Sequence, residues 1–170
     1  MAMKTKPRKK GKMVASKKAK PRPPASAIML TPYICVKGAA QAVAFYKKAF
    51  GAKESYRLSE PNGRIGHAEL TIGTARIMLA DEYPDFGARS PLSIGGTPVR
   101  LHLSVPDADA MIKRAEKAGA MVLRPVADEF YGARSGMIAD PFGHQWFIAT
   151  QTAKLKPKQM QKQFTALFKG

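Results

Sequence analysis

Cysteine is nearly absent. Cys35 is the only one in 170 residues, which excludes an intrachain disulfide and any zinc site built from several thiolates, and fits a reducing, cytoplasmic setting. Long apolar runs are missing too. Nothing approaches the roughly 18 consecutive apolar residues of a membrane-spanning helix, and the cationic first residues are not followed by the apolar stretch of a secretory signal. No membrane partner is expected. Acidic residues are absent from both ends: 1–27 holds 10 Lys or Arg and no acid, and 153–170 holds five lysines and no acid. The body between, 28–152, carries 14 basic and 12 acidic residues, so the net charge of +17 belongs to the ends.

The composition of 1–27 (PRKKGK, KKAKPRPPAS) offers little apolar surface to offset the entropy of ordering, so this segment is expected to be a disordered basic tail. Its lysines can meet phosphates, but it has no aromatic residue to stack on bases. Any nucleic-acid binding through residues 1–27 would be weak, sequence-independent and salt-sensitive. A solubilising tail without a partner is the equal alternative.

From Ile28 the pattern changes. Ile28 to Val36 reads as a strand. Ala39, Ala42, Val43, Tyr46, Ala49 and Phe50 recur at helical spacing, and Gly51 suits the helix end. Strands are expected at Lys53 to Ser59, closed by Pro61-Asn62-Gly63, then at His67 to Ile72 and Ala75 to Ala80 across Gly73-Thr74. A polar linker, 81–98, leads to a second copy of the order. Val99 to Val105 is a strand, and Asp107 caps a helix whose apolar face is Ala108, Met111, Ile112, Ala115 and Ala118. Strands follow at Val122 to Val126, Ser135 to Ala139 and Gln145 to Thr150. The offset from Val36 to Val105 is 69 residues, so the chain reads as two fused βαβββ modules, 28–80 and 99–150, in an α+β domain spanning 28–152. Within 153–170, Met160, Phe164, Leu167 and Phe168 mark one side of a short helix that packs on the domain or on a twin subunit.

The phrases TPYICVKGAAQAVAFYKKAFGA, GHAELTIGTARIMLADE, VRLHLSVPDADAMIKRAEKAGA and FYGARSGMIADPFGHQWFIAT resemble the glyoxalase/bleomycin resistance/dioxygenase group of the vicinal oxygen chelate superfamily, and within it the PhnB-like proteins. The resemblance covers nearly all of 28–152. It implies that each module curls its strands into half of a cup-shaped mixed sheet, that the cup holds a small molecule, and that homodimers are common. It does not imply one reaction, since members isomerise, open epoxides, cleave catechols or sequester drugs.

Members with a divalent metal hold it through His, Gln or Glu on four inner strands. The corresponding positions here are Thr31, Glu69, Arg100 and Phe147, of which only Glu69 is a good ligand. No cofactor is favoured. A divalent metal in a displaced site of His67, Glu69 and His102 is the alternative, opposed by the charge of Arg100 on the same face. A metal-free cup would instead use Arg100 to hold an anionic or carbonyl oxygen, with Glu69 or His102 taking a proton. A structural ion pair between Glu69 and Arg100 weighs equally. Tyr33 and Phe147 are expected to line the cup. Tyr131 and Arg134 are expected on a loop at its rim, as ligand contacts or turn-makers.

Three functions remain open: a protein that binds a small oxygenated or aromatic molecule without the usual metal site; an enzyme of lyase, isomerase or dioxygenase type, using Glu69 as base or a displaced metal; and a nucleic-acid-associated protein acting through its tail.

Overall fold

In the computed structural model, residues 28–168 are described, and the expected basic tail, 1–27, lies outside them. The elements run β1 (Tyr33–Val36), α1 (Ala39–Phe50), β2 (Lys53–Ser59), β3 (Ile65–Ile72), β4 (Ala75–Asp81), α2 (Pro91–Ile94), β5 (Arg100–Ser104), α3 (Ala108–Lys117), β6 (Met121–Glu129), β7 (Ala133–Ala139), β8 (Gln145–Gln151) and α4 (Pro157–Ala166). The strands form two four-stranded mixed sheets of the same order, β1-β4-β3-β2 and β5-β8-β7-β6. Each has one parallel pair, β1 with β4 and β5 with β8. The two-module α+β expectation holds, as two separate sheets with no ladder joining them among the described residues.

The two long module helices, α1 and α3, each begin on a side chain from the last strand of their own module. Gly38, with φ 93°, turns the chain into α1 but brings no capping side chain. The Gly38 and Ala39 N–H groups donate to Asp81 Oδ1 at 2.9 and 2.8 Å, and Ile65 N–H donates to Asp81 Oδ2 at 2.7 Å. In the second module Asp107 Oδ1 accepts from Ala110 N–H at 2.9 Å, while Ala108 N–H donates to Thr150 Oγ1 at 2.8 Å. The helices are thereby fixed on one face of each sheet. Ile34, Val36, Leu70 and Leu79 bury there against α1, and Ile138, Trp146 and Ile148 against α3.

The modules join helix to helix. Arg114 Nε, on α3, donates to the Ala49 carbonyl of α1 at 2.6 Å, and a ring cluster of Phe45, Tyr46, Phe50, Phe142 and Trp146 fills the seam, with Phe50 and Trp146 centroids 4.6 Å apart. At its centre lies Asp140, 4% exposed. Its Oδ2 accepts from Tyr46 Oη at 2.8 Å and Trp146 Nε1 at 2.9 Å, and its Oδ1 from Phe142 and His144 N–H at 2.9 Å each. Burial first, and the Asp140 charge second, hold the Tyr46 phenol well above its ordinary value. His144, on the other side of the turn, reaches the Cys35 carbonyl through Nε2 at 2.9 Å.

Several boundaries differ from expectation. β1 begins at Tyr33 rather than Ile28: Pro32 has no N–H for a ladder, and Ile28 and Leu30 are exposed. β6 runs through Pro125 to Glu129, which an edge strand tolerates because its outer N–H groups need no partner. β7 starts at Ala133, so Arg134 is a strand residue. The linker holds a 3₁₀ turn at Pro84–Phe86 and the short α2. The expected C-terminal helix is present as α4, with Phe164 resting 5.5 Å from the Phe130 ring. Among the described residues no helix is long and apolar enough to cross a membrane.

Asp140→Ala leaves four buried donors without an acceptor and should cost roughly 3–5 kcal/mol. Tyr46→Phe, which leaves three of the four donors in place, should cost less, roughly 1.5–3 kcal/mol. Urea unfolding followed by the fluorescence of Trp146, the sole tryptophan, measures both; equal losses would remove Asp140 from the centre of the seam.

At the edge of the first sheet, hydrogen bonds from Arg57 and then Lys47 lower the Glu54 carboxyl from 4.5 to about 2. A depressed carboxyl contributes stability above its unfolded value that is lost as pH falls through its folded one. Glu54→Gln should therefore flatten the decline in unfolding free energy between pH 4.5 and 2, and an unchanged slope would contradict this.

Candidate ligand-binding faces

Because strand side chains alternate, packing one face of each sheet on a helix leaves the other face free. On the first sheet that face carries Tyr33, Tyr56, His67 and Glu69, as two hydrogen-bonded pairs, Tyr33 with His67 and Tyr56 with Glu69, set side by side. The Tyr33 hydroxyl lies 3.1 Å from His67 Nδ1 and donates to the Gly66 carbonyl at 3.4 Å. His67 Nε2 stands 3.7 Å from Glu69 Oε1, which accepts the Tyr56 hydroxyl at 3.0 Å. Arg76 Nη1 is 3.7 Å from Glu69 Oε2. The carboxylate accepting its proton raises the Tyr56 phenol above its ordinary value. The His67 ring sits between the two tyrosines, edge-on to Tyr33 at 5.4 Å and tilted against Tyr56 at 5.5 Å. Tyr33 and Tyr56 are half exposed while Glu69 is largely covered, so the face presents aromatic surface over a carboxylate core.

Beside these pairs lies a cleft of about 490 Å³ between β1, the Gly66 end of β3 and the turn that follows β4. Tyr33 belongs both to its pair with His67 and to the cleft. The turn is pinched shut by backbone bonds between Tyr83 and Ala88, 2.8 and 3.1 Å long. Cys35 lies on the cleft floor, its thiol pushed up by burial first, then by the charges of Glu82 and Asp81. A raised thiol is a poor nucleophile.

The free face of the second sheet is paired within itself. His102 stacks on Phe147 at 5.2 Å and 21°, and the Arg124 guanidinium stands 5.3 Å over the same ring. Arg124 also pairs with Glu129 and donates to Ser135 Oγ at 3.0 Å; Ser135 donates to Glu129 at 2.8 Å and lies 3.2 Å from the Tyr131 hydroxyl. Arg100 Nε donates to Gln145 Oε1 at 3.3 Å.

The expected site residues therefore divide between two sheets. Tyr33, His67 and Glu69 are together on the first; Arg100, His102, Tyr131 and Phe147 are on the second. The ion pair expected between Glu69 and Arg100 is not present among the described residues: Glu69, on the first sheet, meets Arg76, and Arg100, on the second, meets Gln145. Arg134 is also corrected. Strand alternation turns it to the helix side, where it binds Asp109 at 2.7 and 2.8 Å and Asp128 at 3.3 Å. Hydrogen bonding to Asp109 keeps its guanidinium charged. Tyr56, Tyr83, Phe86, Arg89, Arg124, Glu129 and Ser135 were not singled out by the sequence. Pairing β2 against β3 would have found Tyr56, which is in register with Glu69, and pairing β6 against β7 would have found Glu129, which is in register with Ala133.

The residues at the four expected metal positions do not make a ligand set: Arg100 is a cation bound to Gln145, Phe147 has no donor atom, and Thr31 is a weak ligand. The displaced triad is divided as well. His67 and Glu69 stand on one sheet and His102 on the other, and no group of three His, Cys, Asp or Glu side chains converges among the described residues.

Comparison with known proteins agrees with this architecture. An uncharacterised protein of Mycobacterium tuberculosis (strain H37Rv) is 42% identical over 135 residues, covering 78% of this chain and 79% of the relative. The crystal structure of an Arabidopsis thaliana gene product matches at 28% identity with a TM-score of 0.59, covering 72% of this chain and 98% of that one. A genomically encoded fosfomycin resistance protein from Listeria monocytogenes shares the fold at 16% identity with a TM-score of 0.57, covering 79% of this chain and 98% of that one. The pattern that defines the Glyoxalase/Bleomycin resistance protein/Dioxygenase superfamily matches residues 27–148, and with two βαβββ modules of identical strand order the chain belongs to that superfamily.

Proposed function

We propose that this protein binds a small oxygenated or aromatic molecule on the helix-free face of its first sheet, acting as a binding or sequestering protein without the metal set of its metal-dependent relatives. The observation that carries this reading is Tyr33, half exposed, which forms a wall of the 490 Å³ cleft while its hydroxyl is held by Gly66 and His67. A cleft of this size, mostly apolar with a few fixed polar groups, is what a small ligand requires. The donor set supports the metal-free part, since Arg100 and Phe147 stand where ligands would have to be.

A homodimer belongs to the same reading. Within one chain large apolar side chains stand exposed on both sheets, Leu58 at 61% on the first and Met121 at 62% on the second. A second copy covering this surface removes it from water. Light scattering on the full chain should give twice its 18.5 kDa mass, and a monomer at tens of micromolar would overturn the dimer.

A second reading, an enzyme, is favoured by the His67–Glu69 pair at 3.7 Å with the Tyr33 hydroxyl 3.1 Å from the other ring nitrogen. Such an arrangement can move a proton on a carbonyl compound, with Glu69 taking it and Tyr33 bonding to the ligand oxygen.

Thermal-shift screening of the full chain against phenols, quinones, aryl ketones, bleomycin and fosfomycin tests both readings. Binding is expected to weaken at least about tenfold on Tyr33→Ala. Chemical change of a bound compound that is lost on Glu69→Gln selects the enzyme, and saturable binding without change selects the binder. No shift with any compound overturns both. Nickel, manganese, zinc and iron added to chelator-stripped protein should give no shift that depends on Glu69 or His102.

A further inference from the structure

The cleft beside β1 points to a narrower ligand class, an inference that rests on the small-molecule reading above. Its floor is built from small side chains, Gly66, Ala80 and Cys35, and its walls are aromatic: Tyr33 on one side, Tyr83 and Phe86 from the turn on the other. The floor is small for a reason. A Cβ at Gly66 would come within 3.3 Å of the Tyr83 hydroxyl, so a larger residue there would push that wall outward.

Both tyrosine walls are held by the protein before any ligand arrives. Tyr33 is fixed by Gly66 and His67. The Tyr83 hydroxyl donates to Glu60 at 2.5 Å, and the Arg64 guanidinium covers the Tyr83 ring at 4.1 Å. Phe86 differs: it sits on the tip of the pinched turn with 87% of its surface in water. A bare phenyl ring at the edge of an aromatic-walled slot is apolar area that a flat ligand would cover.

Charge then selects among flat ligands. Asp81 lines the cleft, but its two carboxylate oxygens already accept three backbone N–H groups, from Gly38, Ala39 and Ile65. Glu82 next to it accepts from Ser90 N–H at 2.7 Å. Neither acid has much left for an amine. Arg89, exposed at the mouth, is the cation of the lining, and among the described residues it makes no hydrogen bond or ion pair. A guanidinium is a planar fork matched to a carboxylate.

We propose that this cleft binds a planar aromatic carboxylate, its ring between Tyr33 and the Tyr83–Phe86 turn and its carboxylate on Arg89. The linker therefore supplies the specificity: β1 provides a wall common to any aromatic ligand, and the turn provides the group that reads its charge.

The test holds the ring constant and removes the anion. 1-Naphthoate and 1-naphthamide are titrated calorimetrically into the full chain, into Arg89→Ala, Arg89→Lys and Phe86→Ala, and into Lys113→Ala, which removes one exposed charge from α3. Naphthoate should bind wild type saturably and about tenfold more weakly to Arg89→Ala, with Arg89→Lys between them. Lys113→Ala should bind as wild type does, which separates the site from the general attraction of a chain of charge +17 for anions. Naphthamide should bind more weakly than naphthoate and be indifferent to Arg89, while Phe86→Ala should weaken both probes. All substituted residues are exposed, and the urea midpoint read from Trp146 confirms folding. Equal affinity for the two probes, or naphthoate binding indifferent to Arg89, overturns the aryl carboxylate while leaving small-molecule binding standing. So does failure of both probes when another compound binds in a Tyr33-dependent way. Failure of the probes and of the whole screen overturns both proposals.

Discussion

A carboxylate taken out of water must find donors for both oxygens, or it destabilises the fold that buries it. Asp140 meets that demand with four, and they come from separate parts of the chain: its own turn supplies two backbone N–H groups, β8 the Trp146 indole and α1 the Tyr46 hydroxyl, 94 residues away in sequence. Only when α1 of the first module lies against the seam of the second are all four present. The cluster of Phe45, Phe50, Phe142 and Trp146 could pack in several ways on apolar area alone, whereas the directional bonds to Asp140 admit one. The relative placement of the two modules hangs on this residue.

That placement decides where chemistry can be. Asp81 and Thr150, each at the end of its module's last strand, take up the first N–H groups of α1 and α3, so each helix lies over the face its own strands present. Burial of the helix side leaves one uncovered face per sheet. The second sheet then spends its polar groups on itself. Arg124, Glu129, Ser135 and Tyr131 form a closed network, and Phe147 lies between His102 and Arg124. The first sheet keeps aromatic surface in water and a cleft beside it.

Local periodicity is what the sequence expressed well. The helix at Ala39–Phe50 and the Asp107 cap were legible because i, i+3, i+4 spacing and a side chain before a helix are short-range signals. Inner or outer orientation was legible too, since alternation assigns Tyr33, Glu69, His102 and Phe147 to free faces. Which faces meet was not. The ion pair imagined between Glu69 and Arg100 assumed that two inward side chains share one interior, but alternation says nothing about the distance between sheets. Arg134 failed for a smaller reason: the EFYGARSG segment reads as loop because of its glycines, yet Gly132 alone makes the turn and β7 begins immediately after it. Asp140 was legible as a turn residue and illegible as the centre of the seam, because its partner Tyr46 is remote in sequence.

The linker was the least legible region and carries the most chemical detail. Asp81 to Pro98 has Gly, Pro and polar residues that suit a connection, and nothing in that composition marks Tyr83, Phe86 and Arg89 as a wall, a tip and a free cation. They become so only because Tyr83 bonds backbone to backbone with Ala88, folding the four intervening positions into an overhang, and because Glu82 is tied to Ser90 at its far end. Strand residues on a shared scaffold are constrained by the ladder on both sides, so a change at Tyr33 or His67 disturbs neighbours in register. In the pinched turn Tyr83 has such ties, to Glu60, to Arg64 and through its close approach to Gly66. Phe86 and Arg89 are exposed and can vary with little cost to the sheet, as loop side chains commonly do.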